Sequence, residues 1–135
     1  MSVKLLKFLV VDDSMAVRQV VSGYLREFGI EQIVQVSSGR EALNSLKRGK
    51  FDVVLSDLNM PNMSGLDLLR AMRSEPDLAE IPFLMITSEK DANLLKEVVT
   101  SGVTQILMKP FNMQQLQVKL SATLRKVKRP PKPDD

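Results

Sequence analysis

Three aspartates, a threonine and a lysine stand where short apolar runs stop. KFLVV is followed by Asp12-Asp13, FDVVLSD ends on Asp57, FLMIT runs into Thr87-Ser88, and QILM is followed by Lys109. Three carboxylates brought to one place repel one another and raise each other's pKa, and a hard divalent cation relieves that repulsion. Mg2+ suits such a group: it takes oxygen ligands, keeps some waters, and uses one or two carboxylates together with phosphate oxygens. Zinc lacks its usual ligands, because the 135 residues include no cysteine and no histidine. An ammonium at Lys109 and a hydroxyl at Thr87 can each serve a phosphate oxygen. Metal, ammonium and hydroxyl together describe a phosphoryl site. Asp57 is its natural acceptor, since an aspartate can carry a phosphoryl group as an acyl phosphate.

Each residue alone has a plainer reading. Asp12 and Asp13 suit helix caps before SMAVRQVV, and Asp57 suits a turn before Pro61. Lys109 before Pro110 suits a solvated loop, and Thr87 and Ser88 suit the start of a helix. The conjunction outweighs these readings, because every one of the positions follows a strand-like run.

Composition narrows the chemistry. The absence of histidine removes His-based triads, His metal ligands and any phosphohistidine made on this chain itself. The absence of cysteine removes disulfides and thiolate metal sites, and a cytoplasmic protein is the simplest expectation. No apolar run approaches the ~20 residues that span a bilayer. The N-terminal MSVKLLKFLVVDD is basic and then apolar, but it lacks a small-residue cleavage site and reads as a first strand. The formal charge of +3 is unevenly placed. Residues 125–135, RKVKRPPKPDD, hold five of the 19 basic residues and two of the 16 acidic ones, leaving 14 of each in the body. A neutral body with a basic tail gives little reason to expect nucleic-acid binding.

The elements that would position the site alternate. Strand-like runs cover 7–11, 32–36, 52–56, 83–87 and 105–108. Between and after them lie helical stripes. The first is Val17, Val20, Val21, Tyr24, Leu25 and Phe28; the second is Ala42, Leu43 and Leu46. Leu66, Leu69 and Met72 form the third, and Leu94, Leu95, Val98 and Val99 the fourth. Met113, Leu116, Leu120, Leu124 and Val127 complete the set. Ser38-Gly-Arg-Glu41, Ser64-Gly-Leu-Asp67 and Ser88-Glu-Lys-Asp91 each fit a capped helix start. Gly29, Gly49 and Gly102 follow helical stripes, where glycine can close a helix in the left-handed conformation. The crossovers are too long for hairpins, so the five strands should run parallel with helices on both faces. The expected fold is a doubly wound α/β domain over residues 1–127, with a basic, Pro-rich tail at 128–135. In an open sheet of this kind, ligands bind outside the C-terminal strand ends, where the acids, threonine and lysine fall.

At these residues the chain resembles the receiver domain of two-component response regulators. The resemblance rests on Asp12-Asp13, on Asp57-Leu-Asn-Met60-Pro61-Asn-Met-Ser-Gly65, on Thr87, and on Lys109-Pro110-Phe111, and it covers roughly residues 5–127. It implies a flavodoxin-like three-layer sandwich with strand order 2-1-3-4-5. It implies that Asp57 accepts phosphoryl from a phosphohistidine on a partner histidine kinase. Asp12, Asp13, Asp57 and the main-chain carbonyl of Asn59 would hold Mg2+, while Thr87 and Lys109 would bind phosphoryl oxygens. It also implies a cis Lys109-Pro110 bond. Such a protein catalyses its own phosphoryl transfer and autodephosphorylation but turns over no free substrate.

Among receivers, a stand-alone chemotaxis type fits, with a CheA-like kinase and a phosphatase as partners. No output domain is expected after the fifth helix, and Asn59 and Glu89 match positions that tune dephosphorylation in that group. The output face would be the fourth helix, fifth strand and fifth helix, with Thr87 and residue 106 as its switch. There the chain departs from the group, because Ile106 stands where chemotaxis receivers carry Tyr or Phe. Isoleucine has no ring to swing and is stiff at χ1, which puts motor binding in question and leaves another pathway or a phosphorelay open. A Mg2+-dependent phosphohydrolase is a competing class, but it needs a second acid two residues after the nucleophile, and Asn59 holds that place.

Overall fold

The computed structural model describes residues 3–127, so the tail at 128–135 lies outside the described residues. After a single 3-10 turn at Val3–Leu5, five strands alternate with five helices. They are β1 Lys7–Val11, α1 Met15–Phe28, β2 Gln32–Val36, α2 Gly39–Arg48, β3 Val53–Asp57, α3 Gly65–Arg73, β4 Phe83–Thr87, α4 Ala92–Thr100, β5 Gln105–Met108 and α5 Met113–Leu124. All strand pairs are parallel, in the order β2-β1-β3-β4-β5. Four of the five expected strands match to the residue. The third is one residue later than expected, which makes Asp57 the last residue of the ladder, paired with Ile86.

The helices lie in two layers. Phe8, Val10, Val53, Leu55, Leu84 and Ile86 face Val21 and Leu25 of α1 and Leu116 and Leu120 of α5. Leu9, Val11, Val54, Phe83 and Met85 face α2, α3 and α4 through Ala42, Leu46, Leu69, Met72 and Val98. With both faces covered, the inner strands β1, β3 and β4 are buried at nearly every position and are filled mostly by apolar side chains. Each fully buried Leu or Phe contributes about 1.5–3 kcal/mol relative to exposure, which holds the sheet flat against its helices. The glutamines of QIVQV and QILM belong to the two edge strands, where one side meets water.

Three local expectations are corrected. The fourth helix does not start at Ser88: its cap is Asp91, whose carboxylate accepts from the N–H groups of Asn93 and Leu94. Residues 88–91 form a separate turn, because Glu89 draws the N–H groups of Lys90 and Asp91 to its own carboxylate. Gly49 is extended at φ −141°, whereas Gly29 and Gly102 take the left-handed conformation at φ 112° and 95°. Val20 and Val99, placed on helical stripes, face solvent, so α1 and α4 each bury a narrower stripe than their apolar spacing suggests.

Candidate functional site

The parallel register brings the strand ends abreast. Val11 pairs with both Val36 and Ser56, Asp57 with Ile86, and Thr87 with Met108. The residues that end or follow β1, β3, β4 and β5 are Asp12, Asp57, Thr87 and Lys109, so one edge collects them. The Lys109 N–H donates to the Thr87 carbonyl at 2.8 Å, extending the ladder by one bond and fixing where the lysine leaves the sheet. The Lys109-Pro110 bond is cis.

Asp12, Asp13 and Asp57 offer carboxylate oxygens that all lie within 4.8 Å of one another. Asp12 is buried and Asp13 exposed, so the group opens on one side. The Lys109 ammonium lies 3.2 Å from Asp12 Oδ2 and 3.6 Å from Asp57 Oδ1. Three carboxylates against one ammonium leave two formal negative charges. An all-oxygen donor set with that charge fits a hard divalent cation. Burial pushes the Asp57 carboxyl up from its ordinary range. The Lys109 ammonium pulls it down, the Asp12 charge pushes it up further, and the Leu58 and Asn59 N–H groups pull it down. The net direction is upward, because burial, helped by the Asp12 charge, outweighs the ammonium and the two N–H groups.

Local structure explains each placement. Asp12 does not cap α1; Ser14 does, accepting from Val17 N–H at 3.3 Å. Asp12 instead accepts from Ser14 N–H at 2.9 Å through Oδ1, which turns Oδ2 to Lys109. Arg18, one turn into α1, donates to the Asp12 carbonyl at 2.7 Å and pins that backbone. Asp57 is held by Leu58 N–H on Oδ1 at 2.8 Å, and Leu58 is itself buried. The loop from Leu58 to Ser64 then turns back on the sheet. Asn62 takes φ 69°, a left-handed value that asparagine tolerates, and Gly65 N–H donates to Leu58 O at 2.8 Å. A Cβ on Gly65 would lie 2.2 Å from the Asp57 carbonyl oxygen, so only glycine allows α3 to start that close to the acceptor. Ser64 and Asp67 form a complete capping box at that start.

Thr87 is fully buried, and its hydroxyl accepts from Glu89 N–H at 3.0 Å. Asn59 donates its side-chain amide to Glu89 at 3.3 Å, joining the β3–α3 loop to the β4–α4 turn. Ile106 lies away from the acids, packed with Leu94 and Val103 against the core on the α4 side. The structure therefore gathers Asp12, Asp13, Asp57, Thr87 and Lys109, with Asn59 and Glu89 beside them, while Ile106 packs against the core cluster that includes Val98 of α4. Arg18 and Leu58 were missed by sequence reasoning. Arg18 carried a signal, an arginine one helical turn past the cap, but Leu58 N–H is a backbone contact with none.

A cavity of about 700 Å3 between the end of α2, Phe51 and Leu78 has none of these residues in its lining. No helix among the described residues is long and apolar enough to cross a membrane.

Residues 8–121 match the family model for the response regulator receiver domain. The chain is similar to chemotaxis protein CheY of Pseudomonas aeruginosa, 36% identical over 122 residues that cover 90% of this chain and 98% of that protein. It is similar to chemotaxis protein CheY-3 of Vibrio cholerae, 39% identical over 117 residues, covering 87% and 90%. Among solved structures it is similar to chemotaxis response regulator CheY4 of Vibrio cholerae, with TM-score 0.80, 37% identity, and 87% and 98% of the two chains covered.

Proposed function

This chain belongs to the response regulator receiver domain family, and we propose that it is a switch in which Asp57 accepts a phosphoryl group from a partner histidine kinase. The observation that carries this reading is the arrangement of Asp57 with Asp12, Asp13 and Lys109, all gathered at one sheet edge. The P–N bond of a phosphohistidine breaks as an Asp57 oxygen bonds phosphorus, and the imidazole leaves. Hydrolysis later returns inorganic phosphate and the free carboxylate. No histidine exists on this chain, so the donor must be elsewhere. The site acts on its own carboxylate and is not built to turn over a free substrate.

The donor set suits Mg2+ held by Asp12, Asp13, Asp57 and the main-chain carbonyl of Asn59; when bound, that ion neutralises charge on the phosphoryl oxygens. Lys109 reaches Asp57 Oδ1 already and serves a phosphoryl oxygen by a short movement of its flexible stem. Thr87 spends an acceptor lone pair on Glu89 N–H and keeps its proton to donate to a second oxygen. Asn59 and Glu89 border the approach of water to the phosphorus and so set the lifetime of the acyl phosphate.

The similar proteins from Pseudomonas aeruginosa and Vibrio cholerae are named as chemotaxis proteins and are matched over nearly their full length, which supports chemotaxis signalling as the pathway. The output is a downstream protein bound on the α4, β5 and α5 face, where Val99, Met108 and Val118 are exposed. A second reading, a receiver for another pathway or a phosphorelay, is favoured by Ile106, which offers no ring or hydroxyl to a partner. The test is incubation with Mg2+ and acetyl phosphate followed by intact mass. A single phosphoryl adduct that vanishes in Asp57→Asn supports the switch. Repeated turnover of unrelated phosphoesters would support a phosphohydrolase instead.

A further inference from the structure

Beside Val127 lies a hollow of about 210 Å3. Among the described residues, its charged lining is entirely acidic: Asp52, Asp77 and Glu80. Phe51, Pro76 and Ile81 give it apolar surface. It sits at the end of the sheet opposite Asp57, since Asp52 directly precedes β3 and Pro82, also in the lining, directly precedes β4. The cavity of about 700 Å3 at the end of α2 shares Phe51, Asp52, Asp77 and Ile81 with this hollow and adds Lys47, Arg48 and Lys50. Acid therefore lies next to Val127, and base lies beyond it.

The sequence after Val127 carries the complementary charges in the complementary order. Lys128-Arg129-Pro-Pro-Lys132-Pro brings three cations, and Asp134-Asp135 then brings two acids. Three cations meet three carboxylates first, and the two acids fall toward the lysines and arginine of the α2 end. Val127 packs against the α1 and α5 core cluster and also lines the hollow, so the segment starts at the hollow's edge. Exposed ion pairs are weak singly. A short tether raises the local concentration of the second group to the order of millimolar, so several weak pairs can act together. The three prolines fix φ and reduce the chain freedom that seating would remove. An acidic hollow repels nucleic acid and free anions, which leaves a basic peptide as the chemistry that fits it.

We propose that this hollow is the docking surface for the chain's own residues 128–133, with Lys128, Arg129 and Lys132 facing Asp52, Asp77 and Glu80. Asp134 and Asp135 then face Lys47, Arg48 and Lys50. The contact ties the end of α5 to the starts of β3 and β4, away from the phosphoryl site. Acids of the body balance part of the basic excess of residues 125–135.

The test uses the absence of cysteine, which lets one introduced thiol carry a single nitroxide. Pro133→Cys keeps every charge of the segment. In the full-length 15N-labelled chain with nitroxide at 133, the amides of Phe51, Leu78 and Glu80 should lose more than about half their intensity relative to the reduced label, by the proximity that tethered docking imposes. The amides of Asn59 and Asn62, at the other end of β3, should keep theirs. Adding Asp77→Lys and Glu80→Lys should restore the lost intensity. Adding Lys128→Glu and Arg129→Glu on that background should remove it again. Full intensity at Phe51 and Leu78 in the chain with unaltered charges would overturn the docking. So would broadening that persists in Asp77→Lys/Glu80→Lys. Mixing nitroxide chain without 15N into 15N chain without nitroxide should leave Phe51 and Leu78 sharp; broadening there would assign the hollow to the segment of a second copy and overturn the intramolecular contact.

Discussion

Asp57 is a carboxylate that the metal-free fold holds at a cost, because burial and Asp12 together outweigh Lys109 and two N–H groups. Its folded pKa lies above its ordinary value of 3.8, so its stability contribution is fully present below that pH and is lost as pH rises through the folded pKa. In metal-free buffer near neutral pH, Asp57→Asn is therefore expected to raise the unfolding midpoint by about 2–5 °C, the equivalent of ~1 kcal/mol in a domain of this size. Thermal melts across pH check the sign: the gain should disappear in acid, where the wild-type carboxyl is already neutral. Lys109→Gln has the opposite effect. It leaves Asp12 and Asp57 facing each other without an ammonium, and melts near neutral pH should show a loss of about 1–3 kcal/mol, shrinking as pH falls.

The elements bring the site residues together, and their fit is tightest where α3 begins beside Asp57. Gly65→Ala would drive a Cβ into the Asp57 carbonyl oxygen, which lies in main chain and cannot rotate away. A loss of about 3 kcal/mol or more is expected in denaturant unfolding, with slower phosphoryl loading because the acceptor's own backbone must move. Ser64→Ala, which removes only the cap, should cost ~1 kcal/mol and leave loading nearly unchanged. Much of this was legible beforehand. The strand runs, the capping serines at 38 and 64 and the strand-end chemistry all follow from pattern. The strand order did not follow from pattern, although the glutamines of QIVQV and QILM mark the two edges. The start of α4 was misread because Ser88-Glu-Lys-Asp91 has the spacing of a capping box. There the glutamate turns inward on its own next two N–H groups, and the aspartate becomes the cap. The Asn59–Glu89 bond spans thirty residues and joins two loops, a contact that no local pattern records.

At the scale of the whole molecule, the domain is a sheet whose one edge carries an unneutralised double negative charge, and cation binding and folding should be linked through it. Mg2+ at ten times its dissociation constant should stabilise the chain by ~1.4 kcal/mol, and this gain should largely vanish in Asp57→Asn. The same edge joins two layers of helices, with α1 and α5 on one face and α2, α3 and α4 on the other. A change at Asp57 can therefore reach the α4 face without unfolding the core. The most direct measurement locates the phosphoryl group itself. Protein loaded with acetyl phosphate and Mg2+ is treated with borohydride, which reduces an acyl phosphate to an alcohol, and the peptides are sequenced by mass spectrometry. The account predicts a single reduced site, residue 57 within VLSDLNMPNMSG. Reduction at Asp12 or Asp13, or an adduct that leaves Asp57 unreduced, would contradict it.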